Sequence, residues 1–430
     1  MIGERPAGPH RLVLDNGLRV LLLPDRDLPS VGVAVHYDVG FRSEPGEYGG
    51  LSHLFEHLMF QGSGKVGPGE HPRLVQAAGG GCDAHTRQDC TVYHSVIPVS
   101  ALELVLSLEA DRMRGPRITQ KNLDSQVRVI REERLLNVVN RPYGAYPWIL
   151  PGALFPGAEN TRGGYDVDGL GAFGVPECME FFTRSYAPGN AVLTIAGGFD
   201  PAEARTLVRR HFDGVPSRPV PATRPPGGAT GSGRAPEVRV ADRHVSLPAL
   251  AIGHQLPDPA AEPDACIAHL TLVAVLAQGR TGRLRRRLAG AGAVDVSMTS
   301  GLFGVPFDAR HPDLVACLAV HGQESRREDL LAAFDGELAA VARGAVGATE
   351  LARVTARWTS AFHRGSADAG ARARAAGGAE LLHGDGTLPS RLPGLVRAVT
   401  PERIARAAAR MLAGRRAVAV IEPAAQPSPV

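Results

Sequence analysis

The feature that most limits how this chain can fold is a weak internal repeat. Leu28-Pro29-Ser30-Val31-Gly32-Val33-Ala34 returns as Leu247-Pro248-Ala249-Leu250-Ala251-Ile252-Gly253, an offset of 219 (248 − 29). Val175-Pro176-Glu177, through Tyr186 into Asn190-Ala191-Val192-Leu193-Thr194-Ile195, returns as Thr400-Pro401-Glu402, through Leu412 into Arg416-Ala417-Val418-Ala419-Val420-Ile421, an offset of 225 (401 − 176). Two echoes at nearly one offset imply two copies of one design, each long enough to close its own core. Between them, residues 214–235 turn to Pro, Gly, Ser, Thr and Ala, with Arg218, Arg224 and Arg234 the only charges, which reads as a linker. The expected organisation is an N-terminal domain over 1–213, the linker over 214–235, and a homologous domain over 236–430. Both are α+β, each an antiparallel sheet packed with helices.

Only the first copy carries a motif with chemistry in it. Gly49 to Ser63 is apolar at Leu51, Leu54, Phe55, Leu58 and Met59, which is helical spacing, and Gly62 can end the helix. On such a helix His53 and His57, four apart, point the same way and can grip one metal ion, while Glu56 lies within reach of a metal-bound water. This is H-x-x-E-H, the inverzincin zinc-binding pattern. Neutral imidazole suits zinc, which brings bound water toward ionisation at neutral pH, and a neighbouring carboxylate can move that proton to a leaving amine. In the second copy Leu272 to Leu276 occupies the equivalent place, so only one half can hold a metal this way. A third ligand is needed. Residues 119–140 read as a long helix offering Asp124, Glu132 and Glu133, and composition does not choose among them.

The rest of the first copy alternates strands and helices. Residues 11–23 read as two strands around Asp15-Asn16-Gly17, a strong hairpin signal. In 30–39, Val31, Val33, Val35, Tyr37 and Val39 alternate with Gly32, Ala34, His36 and Asp38, a strand with one apolar face. Helices are expected over 72–78, 100–113 and 176–186, and strands over 91–97 and 190–197. Asp200-Pro201 opens a helix reaching about Phe212, a cap residue followed by proline at the first position. Residues 141–174, broken by glycines and prolines, read as irregular.

Charge and cysteine usage narrow the partners. The formal net charge is +3 with basic residues spread along the chain, so there is no footprint for nucleic acid. No apolar run approaches a membrane span, and the N-terminus lacks the layout of a secretory signal, so a cytoplasmic protein without a membrane partner is expected. Cys82, Cys90, Cys178, Cys266 and Cys317 are odd in number and widely spaced, which suits reduced thiols rather than a disulfide framework.

Segments along nearly the whole chain resemble the pitrilysin or insulinase-like (M16) metallopeptidases, in particular the smaller bacterial zinc proteases (M16B) related to the mitochondrial processing peptidases. They are Leu14-Asp15-Asn16-Gly17-Leu18-Arg19-Val20; 50–62; Asp83-Ala84-His85-Thr86 with Asp89, Thr91 and Tyr93; 122–134 followed by Pro142-Tyr143-Gly144; Tyr186-Ala187-Pro188-Gly189-Asn190 with Gly197; and 279–288. The resemblance implies the two-domain LuxS/MPP-like metallohydrolase fold and a zinc-dependent metalloendopeptidase with one zinc per chain. It implies His53, His57 and Glu133 as ligands, with Glu132 the fallback, and Glu56 as general base. It also implies that a peptide substrate adds to the sheet edge entered through Asp83, Ala84 and His85. Asp83 stands where many members have asparagine.

The resemblance has one gap. In self-sufficient members the second half supplies an arginine and a tyrosine, seven apart, that hold substrate and stabilise the oxyanion. At those places this chain has Ala289 and Val296, neither of which can donate a side-chain hydrogen bond. The implied arrangement is a heteromer whose homologous partner supplies the pair, although Arg285, Arg286 and Arg287 lie nearby. A dedicated leader-peptide maturation protease is one such enzyme. A catalytically silent scaffold subunit is the alternative.

Overall fold

The computed structural model describes residues 8–44, 49–156, 167, 169–220, 233–279 and 282–424. Most of the expected linker, 221–232, and Arg280 and Thr281 of the 279–288 segment lie outside these residues. The chain forms two compact units. The first comprises 1–131, 163–225 and 363–391; the second comprises 132–162, 226–362 and 392–430.

The first unit is built on six strands: β1 (His10–Val13), β2 (Arg19–Pro24), β3 (Ser30–Tyr37), β4 (Gly81–Thr86), β5 (Thr91–Pro98) and β6 (Ala191–Gly197), in the order β1-β2-β6-β3-β5-β4. The helices from the first half of the chain are α1 (Leu51–Leu58), α2 (Glu70–Ala77), α3 (Leu102–Arg114), α4 (Gln120–Arg134), α5 (Tyr146–Leu154), α6 (Val175–Ser185) and α7 (Pro201–Phe212). The hairpin turns at Gly17, whose φ of 89° is the left-handed conformation that glycine adopts without strain. Asp200 caps α7 as expected, accepting hydrogen bonds from the amides of Ala202 and Glu203 at 2.9 and 3.0 Å.

The second unit repeats the design with β7 (Val238–Asp242), β8 (Ala249–Gln255), β9 (Ala293–Ser300), β10 (Leu314–His321) and β11 (Arg416–Pro423), in the order β7-β11-β8-β10-β9. Its half of the chain contributes α8 (Pro263–Ala277), α9 (Arg283–Ala289), α10 (Arg327–Ala342), α11 (Ala348–Gly365), α12 (Ala369–His383), α13 (Leu388–Arg397) and α14 (Pro401–Ala413). Setting β1 aside, the two sheets share one strand order: β2, β6, β3, β5, β4 answer β7, β11, β8, β10, β9. The echoes at offsets 219 and 225 are β3 against β8 and β6 against β11. The sheets are mixed rather than wholly antiparallel, because β2 pairs parallel to β6 and β7 parallel to β11. In each case the final strand of the repeat returns beside the first through intervening helices, and a crossover connection of that kind delivers a parallel neighbour.

The units differ from the expected linear division in two segments. α5, from the first half of the chain, belongs to the second unit, and α12, from the second half, belongs to the first. In the first unit Val31, Val33, Val35 and Tyr37 of β3 pack on Leu54, Phe55, Leu58, Val105 and Leu106. The opposite face of the strand meets α12, with Ala34, Val92, Ala196 and Ala373 in one buried cluster. A methyl group on Gly32 would stand 2.3 Å from the Ala369 carbonyl oxygen, so the helix lies against bare backbone. In the second unit Leu150, Leu154 and Phe155, in and just after α5, pack on Ala249, Ala251, Ala417, Ala419 and Ile421. Residues 146–154 are therefore helical where the prolines suggest irregular chain. Pro147 lies in the first turn, where proline is tolerated, and burial of the apolar face outweighs the disruption from Pro151.

None of the five cysteines is in a disulfide, in line with the reduced thiols expected. No helix among the described residues is long and apolar enough to cross a membrane.

Candidate metal centre

α1 is two turns long and buries Leu51, Ser52, His53, Leu54, Phe55 and Leu58. Burial of its four large apolar side chains, Leu51, Leu54, Phe55 and Leu58, stabilises the seating by about 1.5–3 kcal/mol each. The Tyr93 hydroxyl on β5 donates to the Phe55 carbonyl at 2.9 Å, joining the helix to the sheet behind it. The Tyr93 ring in turn lies under the buried Arg112 guanidinium, 4.3 Å from its centroid, and Arg112 Nε donates to Glu109 Oε2 at 2.8 Å. His53 and His57 are presented on one side of α1, their ring centroids 5.1 Å apart and their planes at 73°.

The third member arrives on α4. Its buried side, Leu123, Gln126, Val127 and Ile130, follows helical spacing, and Glu133 continues that series one turn beyond Ile130. His53, His57 and Glu133 each offer a ligand atom, and these atoms all lie within 4.8 Å of one another. Among the described residues no other group of three or more histidine, cysteine or acidic side chains is gathered closely enough to hold a metal. Glu132 points outward and is exposed, as is Asp124. The series Gln126, Ile130, Glu133 was the sequence signal that separates Glu133 from Glu132.

Two imidazoles and one carboxylate are the donor set of a catalytic zinc site, with a fourth position left for water. Donors about 2 Å from one tetrahedral ion stand about 3.3 Å from each other, so a contraction of up to about 1.5 Å closes this set around zinc. The residues fit the metal.

Glu56, between the two histidines, accepts a hydrogen bond at 2.7 Å from the hydroxyl of Thr86, the last residue of β4. Thr86 ends the Asp83-Ala84-His85-Thr86 segment, and nothing in its sequence context marks it as a partner of Glu56. Strand alternation places it with Ala84 on the α1 side of the sheet, whereas Asp83 and His85 lie on the other side, opposite His94 and Val92 of β5. Asp83 is exposed and its Oδ1 accepts from the Ala84 amide at 2.9 Å. The His85 ring packs edge-on against His94 at 5.7 Å, and burial with the nearby Arg87 charge lowers its pKa to about 2. β4 is the edge strand of its sheet, as the substrate reading requires, but the side chains of Asp83 and His85 are turned away from the α1 face.

In the second unit Ala289 ends α9 and is exposed, while Val296 is buried in β9 opposite Ala319. Arg285 Nη2 donates to Asp295 Oδ1 and to the Val296 carbonyl, both at 2.8 Å. Arg286 and Arg287 are exposed.

Two histidines on α1 and a glutamate on α4, in a chain of two matching mixed-sheet units, define the class, that of a metallopeptidase-like fold. The chain belongs to the peptidase M16 (insulinase) family: residues 19–142 match the model described as insulinase (peptidase family M16), and residues 176–357 match that of the peptidase M16 inactive domain. An uncharacterized zinc protease of Mycobacterium tuberculosis is 26% identical over 423 residues, 96% of this chain and 93% of the relative. One from Mycobacterium leprae is 29% identical over 211 residues, 48% of this chain and 47% of the relative. The mitochondrial-processing peptidase subunit beta of Bos taurus is 26% identical over 257 residues, 57% of this chain and 50% of that protein. Among solved structures, a protease from Helicobacter pylori superposes with a TM-score of 0.87 at 19% identity, covering 97% of this chain and all of the other.

Proposed function

We propose that this chain is a zinc-dependent endopeptidase acting on peptides or unfolded segments, and the catalytic subunit of a heteromer. The observation that carries the reading is the convergence of His53, His57 and Glu133 within 4.8 Å, beside a Glu56 held by a hydrogen bond. A structural zinc site is closed by four protein ligands and has no use for a neighbouring base.

In this reading His53, His57 and Glu133 hold zinc and Glu56 is the base. When bound, zinc polarises the scissile carbonyl and eases ionisation of water at neutral pH. Glu56 accepts the proton of the attacking water as its oxygen bonds to the carbonyl carbon, then delivers that proton to the amine as the C–N bond breaks. Thr86 restrains one oxygen of the Glu56 carboxylate throughout. The substrate backbone pairs with edge strand β4, so main-chain hydrogen bonds provide affinity and leave sequence selection to surrounding pockets.

The heteromeric part rests on Ala289 and Val296, which have no donor for an oxyanion, and on Arg285 being engaged with Asp295 and a backbone carbonyl. A homologous subunit carrying arginine and tyrosine would complete the site. Leader-peptide maturation in the cytoplasm is the role that suits such a pair. A catalytically silent scaffold is the competing reading, and the description of the second matched region as an inactive domain suits either.

The deciding experiment uses Glu56→Gln. The variant binds one zinc per chain, as the parent does, and no longer cleaves a peptide library read by mass spectrometry together with its partner subunit. Cleavage at the parental rate would remove Glu56 as the base, and absence of zinc from the parent would favour the scaffold. Full activity of the isolated chain would remove the partner.

A further inference from the structure

The two histidines sit on a helix that cannot cap itself. The N-cap of α1 is Gly50, at φ 91°, which has no side chain to receive the first amides. Ser52, one position into the first turn, has its hydroxyl buried without a hydrogen-bond partner. The missing acceptor comes from six residues upstream. Glu44, 3% exposed, accepts hydrogen bonds from the Gly50 amide through Oε2 at 2.7 Å and from the Ser52 amide through Oε1 at 2.6 Å.

This is more than an ordinary cap. The first amides of a helix carry a partial positive charge that acts within the first turn, and His53 is the third residue of α1. A dication bound by His53 would stand close to that positive end, which opposes binding. A buried carboxylate spanning two of the first amides offsets the charge and, with both oxygens engaged, fixes the height and rotation of the short helix. Because α1 has only two turns, any fraying from its N-terminus reaches His53 directly and the geometry of the His53–His57 pair with it.

We propose that Glu44 is a positioning residue for the metal centre, setting zinc affinity through α1 without touching the ion. The inference rests on the zinc reading above and adds a residue that neither the motif nor its spacing indicates.

The test is zinc affinity of the full chain, measured by competition with a chromogenic chelator. Glu44→Ala is expected to weaken binding by about 10- to 100-fold, the range found when a residue that orients metal ligands is lost. Glu44→Gln, which keeps the shape and one acceptor oxygen, is expected to fall between it and the parent. The control is Leu14→Ala, a core truncation in the same unit. It should lower the thermal midpoint of the metal-free protein at least as much as Glu44→Gln does while leaving zinc affinity near the parental value. Glu44 variants that bind zinc like the parent, or a control that loses affinity equally, would overturn the proposal. A parent that binds no zinc would instead overturn the peptidase reading, so the two failures are distinct.

Discussion

The hydroxyl of Thr86 donates a 2.7 Å hydrogen bond to Oε2 of Glu56, tying the last residue of an edge strand to a carboxylate on the histidine-bearing helix. The strand expected to receive substrate and the residue expected to move the proton are thus mechanically one piece. A hydrogen bond to a charged group contributes about 1.5–3 kcal/mol. Thr86→Val, nearly isosteric but without the donor, should lower kcat by about 10- to 100-fold while KM and zinc content stay close to parental. Thr86→Ser should retain most of the rate. Steady-state kinetics of the two variants, with the partner subunit present, check this; equal losses in both would mean the methyl group, not the hydroxyl, matters.

Glu133 and Glu132 are adjacent in sequence but face different surroundings. If Glu133 is the proposed third ligand, Glu133→Gln should reduce zinc affinity by more than the roughly 100-fold expected of a supporting residue. Glu132→Gln should leave affinity unchanged within error. Equilibrium competition with a chelator distinguishes them, and the reverse order would reassign the third ligand.

The packing of α12 on β3 has little slack. A methyl group at Gly32 would fall 2.3 Å from the Ala369 carbonyl oxygen and 2.6 Å from the Gly370 Cα, both backbone atoms that cannot rotate away. Gly32→Ala should therefore destabilise the protein by about 1–3 kcal/mol, as overpacking does. Urea unfolding with an unchanged m value would register it.

The same interface is acid-sensitive. Burial lowers the pKa of His36 to about 3 and of His94 to about 4, with the nearby Arg374 charge acting in the same direction, and that of His85 to about 2. The folded state holds these imidazoles neutral while the unfolded chain protonates them near 6.5, so stability falls as pH drops below about 6.5 and continues to fall toward the folded values. Asp83 and Asp368 oppose the shift at His94 only in part. The thermal midpoint of the metal-free protein should decline from pH 6.5 to 4.5, and His94→Gln should make that decline shallower. An identical slope in the variant would exclude His94 as a contributor.

The elements legible in the sequence are those with local causes. Asp15-Asn16-Gly17 specifies its hairpin because Gly17 can take the left-handed conformation, and α1 is readable because Leu51, Leu54, Phe55 and Leu58 repeat at helical spacing around His53 and His57. α5 was not readable, since Pro147 and Pro151 are local signals against a helix and its stability comes from a sheet distant in sequence. Glu44 was equally silent: nothing near it in the sequence says that its carboxylate turns to the amides of Gly50 and Ser52.

Periodicity, turn chemistry and the histidine spacing determined the repeated α+β design and which half carries the paired histidines, because those properties depend on neighbours a few residues apart. Tertiary structure alone decided that α5 and α12 exchange sheets, that the Gly32, Ala34 and His36 side of β3 is buried rather than wet, and that Glu133 meets the histidines. Such outcomes depend on which apolar surfaces cover one another across more than 70 residues of chain. Burial free energy follows contact area and shape, neither of which is written in local order.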